Sequence, residues 1–141
     1  MNQKLAMSLL VAGILACAAS PQQQQDVPLV VSMIELIANP EKYDAKTVLV
    51  TGFLRIEHEG DILYFSENDF VHGISKNGLW VERTPDIVRE LEKLDSAYVI
   101  VVGTFNPRAK GHRSSTSGSI QRIRTCTFWS NGKDPISRRW K

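Results

Sequence analysis

Cysteine is nearly absent from this chain of 141 residues: there are two, Cys17 and Cys126. Two cysteines allow at most one bridge, so the chain is no disulfide scaffold, and no Cys/His spacing of a structural zinc site is present. No apolar run approaches the roughly 20 residues needed to cross a bilayer core as a helix. Net charge is only +2, the charged fraction of 23% and the hydrophobic fraction of 43% are ordinary, and nothing in the composition points to global disorder. The length allows one domain, not two. No nucleophile-elbow context surrounds any serine, and the paired acids do not converge by spacing. Catalytic residues, metal ligands and cofactors are therefore all expected to be none, and a hydrolase or metal-dependent enzyme is the class with least support.

What is present begins with an export signal. Lys4 precedes a twelve-residue apolar stretch, Leu5 to Ala16, too short to span but of signal-sequence length. Ile14-Leu15-Ala16-Cys17 resembles a bacterial lipoprotein box, in which Cys17 is lipidated and becomes the mature N-terminus. The rival is ordinary cleavage at Ala16-Cys17-Ala18. Lipidation is favoured because one of only two cysteines falls at the end of the apolar stretch. A polar spacer with four consecutive glutamines, Gln22 to Gln25, follows it. The expected division is 1–17 signal, 18–27 spacer, 28–130 folded domain and 131–141 basic tail. The expected location is a periplasm-facing or outer-membrane lipoprotein, or else a soluble periplasmic or secreted protein. If Cys17 is lipidated, Cys126 is left alone and reads as a buried, inert thiol in a strand.

Within the domain, Ser32-Met33-Ile34-Glu35 is a capping-box pattern opening a short helix that ends before Pro40. Glu41 to Lys46 reads as a turn. Thr47 to Glu57 alternates cleanly as a strand, His58 to Asp61 reads as a hairpin turn, and Ile62 to Phe65 as the returning strand. Ser66 to Phe70 reads as one helical turn and Leu79 to Val81 as a third strand. Thr84-Pro85-Asp86 opens a second helix with Thr84 as N-cap. Tyr98 to Phe105 and Ser119 to Phe128 are the last two strands, with Asn106 to Ser117 a loop between them. The fold class is thus mainly β with two short helices, a five-stranded OB-type Greek-key barrel. Gly52 and Gly103, deep inside two long strands, mark expected bends.

The segment Asn39-Pro40-Glu41-Lys42-Tyr43-Asp44-Ala45-Lys46, followed by Val48, Val50 and Gly52, resembles the opening of small exported bacterial OB-fold proteins. Leu63-Tyr64, Trp80 and the strand from Tyr98 extend the likeness from about Ser32 to Ile123. Those relatives usually carry Gly where this chain has Ala45. The resemblance implies scaffold and export, and it carries no active-site signature.

Charge supplies the one binding signal. Asp26 to Ser96 holds seven Lys/Arg against fourteen Asp/Glu, whereas Ala97 to Lys141 holds nine against one. Arg108, Lys110, His112 and Arg113 in the loop, Arg122 and Arg124 in the last strand, and Trp80 are the candidate ligand-binding residues. OB-folds bind through the strand 2–3 face and the 1–2 and 4–5 loops. Here the 4–5 loop is basic but the 1–2 loop (Glu57, Glu59, Asp61) is acidic, which disfavours nucleic acid. Metal binding by Glu57, His58, Glu59 and Asp61, or by Asp69 and His72, lacks a ligand motif. Trp129, like Trp140, reads as a residue for a membrane surface, for stacking on a ligand, or for closing the barrel end. The expected function is a tethered, non-enzymatic envelope module binding a protein, glycan or anionic surface. The alternative is an oligonucleotide-binding protein.

Overall fold

The computed structural model describes residues 26–130. Cys17, Trp140 and the expected signal, most of the spacer and the tail lie outside the described residues. Six strands form: β1 (Leu29–Val30), β2 (Thr47–Arg55), β3 (Asp61–Tyr64), β4 (Gly78–Val81), β5 (Ala97–Asn106) and β6 (Ser119–Phe128). They order as β1-β2-β3-β4-β6-β5, and β2 also pairs with β5 over eight residue pairs. Strands β2 to β6 therefore close into a five-stranded barrel of the OB type, with β4 and β6 parallel and the other neighbours antiparallel.

Alternation on β2 explains which residues fill it. Val48, Val50 and Leu54 are fully buried inside, where they meet Leu63, Leu79, Val99, Phe105 and Ile120. Four short helices, rather than two, complete the domain: α1 (Met33–Ala38), α2 (Pro40–Tyr43), α3 (Glu67–Val71) and α4 (Val88–Glu92). Helix α1 adds Met33 and Leu36 to the core, and Leu91 of α4 is wholly buried there, with Leu94 just beyond it.

The structure corrects several expected boundaries. Half of the capping box forms: Glu35 N–H donates to Ser32 Oγ at 3.1 Å, but the Glu35 carboxylate turns instead to Tyr43 Oη and Lys42 Nζ. Those bonds hold its carboxyl below the ordinary range, the Tyr43 hydroxyl contributing most. The turn expected at Glu41 begins as α2, because Pro40 at a helix start has no N–H to leave unpaired. Thr84 does not cap α4 through its side chain; its carbonyl accepts from Ile87 and Val88, and the helix starts at Val88. Asp61 belongs to β3, not to the hairpin turn. Strand β1, unforeseen, adds parallel to the edge of β2, with Leu29 opposite Val48.

The two strand glycines differ. Gly103 faces three residues of β6, Arg122, Ile123 and Arg124, because Val102 pairs with Thr125 and Thr104 with Gln121. Arg122 adopts φ +46° to make this bulge. A Cβ on Gly103 would lie 2.6 Å from Ile120 Cγ2 and 2.9 Å from Gln121 O. Gly52 stays in register with Val99 and is required instead by close approach, since a Cβ there would meet Tyr64 O at 2.6 Å.

Candidate functional site

The face that OB-folds use for ligands is the outer side of β3 and β4 with the loops beside it. Ile62, Tyr64 and Trp80 point outward there, opposite the core positions Leu63 and Leu79. In this chain the face is filled from within. Phe70 of α3 lies 5.5 Å from Tyr64 and 6.1 Å from Phe53, ring centroid to centroid. Tyr98 continues the row, edge-on to Phe53 at 5.3 Å, and Trp129 lies 6.4 Å beyond it. Arg55 stacks its guanidinium 4.4 Å from the Phe70 ring centre. Burial pushes the Tyr64 hydroxyl above its ordinary value, with Glu57 adding to the rise.

Trp80 is half-buried; it packs against the cluster of Phe53, Ile62 and Tyr64, and loop backbone closes over it. Gly60, at φ +136° in the β2–β3 loop (the 1–2 loop of the five-stranded OB scheme), and Gly111, at φ +66° in the β5–β6 loop (the 4–5 loop of that scheme), both approach the indole so closely that a Cβ on either would overlap its ring. The indole is thus a strut on which the two loops meet, not an open stacking platform.

The 4–5 loop, Pro107 to Gly118, is built rather than slack. Asn106 Oδ1 accepts from the N–H groups of Arg108 at 3.0 Å and Ala109 at 3.2 Å. Ser75 Oγ donates to Ser115 O, Lys76 Nζ to Ser114 O, and Ser117 Oγ to Lys76 O. Inside this frame Gly111, Arg113 and Ser114 all have positive φ, +66°, +53° and +55°. Arg113 and Ser114, non-glycine residues at positive φ, store local strain that the surrounding bonds hold in place.

Between this loop and α2 lies a cleft of about 650 Å³. Glu41 and Asp44 line one wall; Lys76, Arg108 and Lys110 line the other. Arg108 pairs with Asp44 at 2.6 Å. Lys110 is exposed and has no ion pair among the described residues, and the same holds for Arg113. Of the seven residues singled out from sequence, Arg108 and Lys110 share the cleft. His112 and Arg113 occupy the 3₁₀ turn of the same loop, just past Gly111 and its contact with Trp80. The other three are used elsewhere: Trp80 sits under the two glycine loops, Arg122 N–H reaches Glu82 at the bulge, and Arg124 donates to Asp26 O and Thr47 Oγ1.

The remaining candidates are structural. Asp61 is 1% exposed and is held by Arg83, so it is not available to a metal. Asp69 accepts from Ser66 Oγ and Asn77 Nδ2, tying α3 to the entry of β4, while His72 Nδ1 faces Asn68 O. Among the described residues no three His, Cys, Asp or Glu side chains gather as a metal site. Cys126 is mostly covered, and burial pushes its thiol up to about 12. No described helix is long and apolar enough to cross a membrane.

Sequence reasoning missed an apolar face. Two adjoining grooves, of about 440 and 310 Å³, meet at Phe65. One runs past Val30, Leu49, Thr51, Tyr98 and Trp129, and the other past Ile34, Ile37 and Ala38. The signal available was weak: an unexplained Trp129, and Val27, Leu29 and Val30 lying outside any expected strand.

No protein-family model matches this chain, and no curated protein matches it in sequence. Among solved structures it is similar to part of a Leishmania major Friedlin protein provisionally assigned as an aspartyl-tRNA synthetase, with 14% identity and a TM-score of 0.40. The match covers 80% of this chain and 23% of that one, so this chain spans less than a quarter of that protein's length.

Proposed function

We propose that this protein is a non-enzymatic binding module of the cell envelope, tethered through Cys17, that holds an anionic group of an envelope glycan or protein on its 4–5 loop. One observation carries the reading. The loop is fixed by side-chain-to-backbone bonds and strained at Arg113 and Ser114, yet it presents Lys110 and Arg113 with no acidic partner among the described residues. A rigid loop loses little conformational entropy on binding, so its charges act at full strength. The acidic wall of Glu41 and Asp44 favours a ligand that also carries hydroxyl or amide donors, as glycans and peptides do. The oligonucleotide alternative needs stacking aromatics in a positive groove. Trp80 under its two glycine loops and an acidic 1–2 loop weigh against it.

The test uses full-length protein with Cys17→Ser, and three immobilised probes: dextran sulfate, neutral dextran and a single-stranded 12-mer DNA. Binding to dextran sulfate that weakens with salt, and that Lys110→Ala/Arg113→Ala lowers by about tenfold, supports the reading. Equal retention on neutral dextran, or none on dextran sulfate at low salt, overturns it. Tighter binding to DNA than to dextran sulfate selects the oligonucleotide reading.

A further inference from the structure

The apolar face adjoins the basic cleft at Ile37 but differs from it in chemistry. No residue lining its two grooves is Asp, Glu, Lys, Arg or His. The ridges beside the grooves are exposed: Val30 at 80%, Ile34 at 61% and Trp129 at 48%. Contiguous apolar exposure of this kind marks a contact surface. Its position suggests the partner. Val27, Leu29, Val30 and Ile34, four of the large exposed hydrophobics, fall within eight residues at the point where the N-terminal segment joins the barrel.

We infer that this face docks on the phospholipid bilayer to which the chain is tethered, an inference that rests on Cys17 being the anchor. Nine residues lie between Cys17 and Val27, ten Cα-to-Cα steps in all. Fully extended they reach at most about 35 Å, and as a flexible chain about 17 Å on average. A bilayer is then the apolar medium always within reach, at a millimolar effective concentration that makes even weak docking persistent. Tyr98 and Trp129 each have an apolar body and a polar edge, the combination favoured at a membrane interface. Trp129 also lies four residues before Lys133, and Arg138, Arg139 and Lys141 follow against the single acid Asp134. Anionic headgroups attract such a segment. The ridges enter the headgroup region, and the grooves between them take up the outermost lipid segments.

The protein as cells produce it is placed in vesicles of phosphatidylethanolamine and phosphatidylglycerol, a fraction of them carrying brominated acyl chains. The Trp129 contribution is isolated as the difference between wild type and Trp129→Phe. Bilayer docking gives at least about twofold quenching of that difference signal by brominated lipid, abolished by Val30→Asp/Ile34→Asp, while the variant still pellets with the vesicles and keeps its β-rich circular dichroism. Pelleting with an unquenched Trp129 overturns the docking and leaves the tether intact. An unquenched Trp129 that is also shielded from aqueous acrylamide means a second copy or another protein covers the face, which equally overturns it. If the protein proves unacylated, the tether reading falls. The face is then judged by sedimentation of the soluble protein with the same vesicles, where retention sensitive to Val30→Asp/Ile34→Asp supports docking and no retention overturns it.

Discussion

Asp61 and Arg83 meet through two parallel hydrogen bonds, Nε to Oδ2 at 2.8 Å and a terminal guanidinium nitrogen to Oδ1 at 2.5 Å. The carboxylate is buried and the guanidinium remains partly exposed. This fork joins β3 to the chain leaving β4 and raises the Arg83 pKa further, the hydrogen bond to Asp61 being the main cause. Arg83→Ala leaves a buried carboxylate alone and is expected to destabilise by about 3 kcal/mol, read from the urea midpoint. Arg83→Lys recovers only part of this, because an ammonium cannot make both bonds. Asp61→Leu/Arg83→Met restores most of the stability.

Gly111→Ala is expected to cost about 2–3 kcal/mol, through both its left-handed backbone and the displaced indole. In a Trp80→Leu background the same change costs less, because the ring that it strikes is gone. The double-mutant cycle, measured by chemical denaturation, separates the two causes. Equal cost in both backgrounds would show that Trp80 is no strut.

The Asp69 carboxyl is held below its ordinary 3.8, chiefly by the Ser66 hydroxyl, with Asn77 assisting and burial opposing. A depressed folded-state value means that its contribution is complete above the unfolded value. That contribution fades as pH falls through 3.8 and below. Wild-type urea midpoints should therefore decline on acidification over this range, and Asp69→Asn should start lower at neutral pH and decline less. Equal slopes for the two proteins would remove Asp69 from the acid response.

With its thiol pushed up to about 12, Cys126 is almost entirely protonated at neutral pH. Dithiobisnitrobenzoate should label it much more slowly than an exposed cysteine. Its rate should rise with sub-denaturing urea in step with β5–β6 opening, and a rapid stoichiometric reaction in native buffer would contradict the burial.

Ala45 follows α2 with φ +60°, and its N–H donates to Phe105 O. Glycine adopts that conformation without steric penalty. Ala45→Gly is expected to be neutral or to stabilise by up to about 1 kcal/mol, an uncommon sign for a glycine substitution. Thermal denaturation checks it.

Much of the barrel was legible in the sequence because its cause is local. The β-branched run before Phe105 and the alternation after Thr47 each dictate a strand without reference to partners. Strand β1 was not legible: two residues carry no period, and only the edge of β2 makes them a strand. The fork between Asp61 and Arg83 spans 22 positions, so neither residue announces the other. Trp80 was legible as a large aromatic on a strand, but its burial depends on what Gly60 and Gly111 lack, which no side-chain pattern records. The basic loop was visible as charge. Its rigidity, which supports the proposed function, comes from Ser75, Asn106 and Ser117, residues that read in sequence as ordinary turn formers. The apolar face was hidden because its members come from five separate stretches of chain.

Strand β1 lies parallel to β2, so a pull on Asp26 directed along the strand axis loads the bonds of β1 side by side. The Leu29 and Val30 pairings, the Val31 N–H to Leu49 O bond and the Arg124 grip on Asp26 O then share the load together, in shear, instead of peeling one after another. Two residues of strand give the barrel a mechanical clasp at the point where a pull arrives, and the closed sheet behind it is spared the first strain.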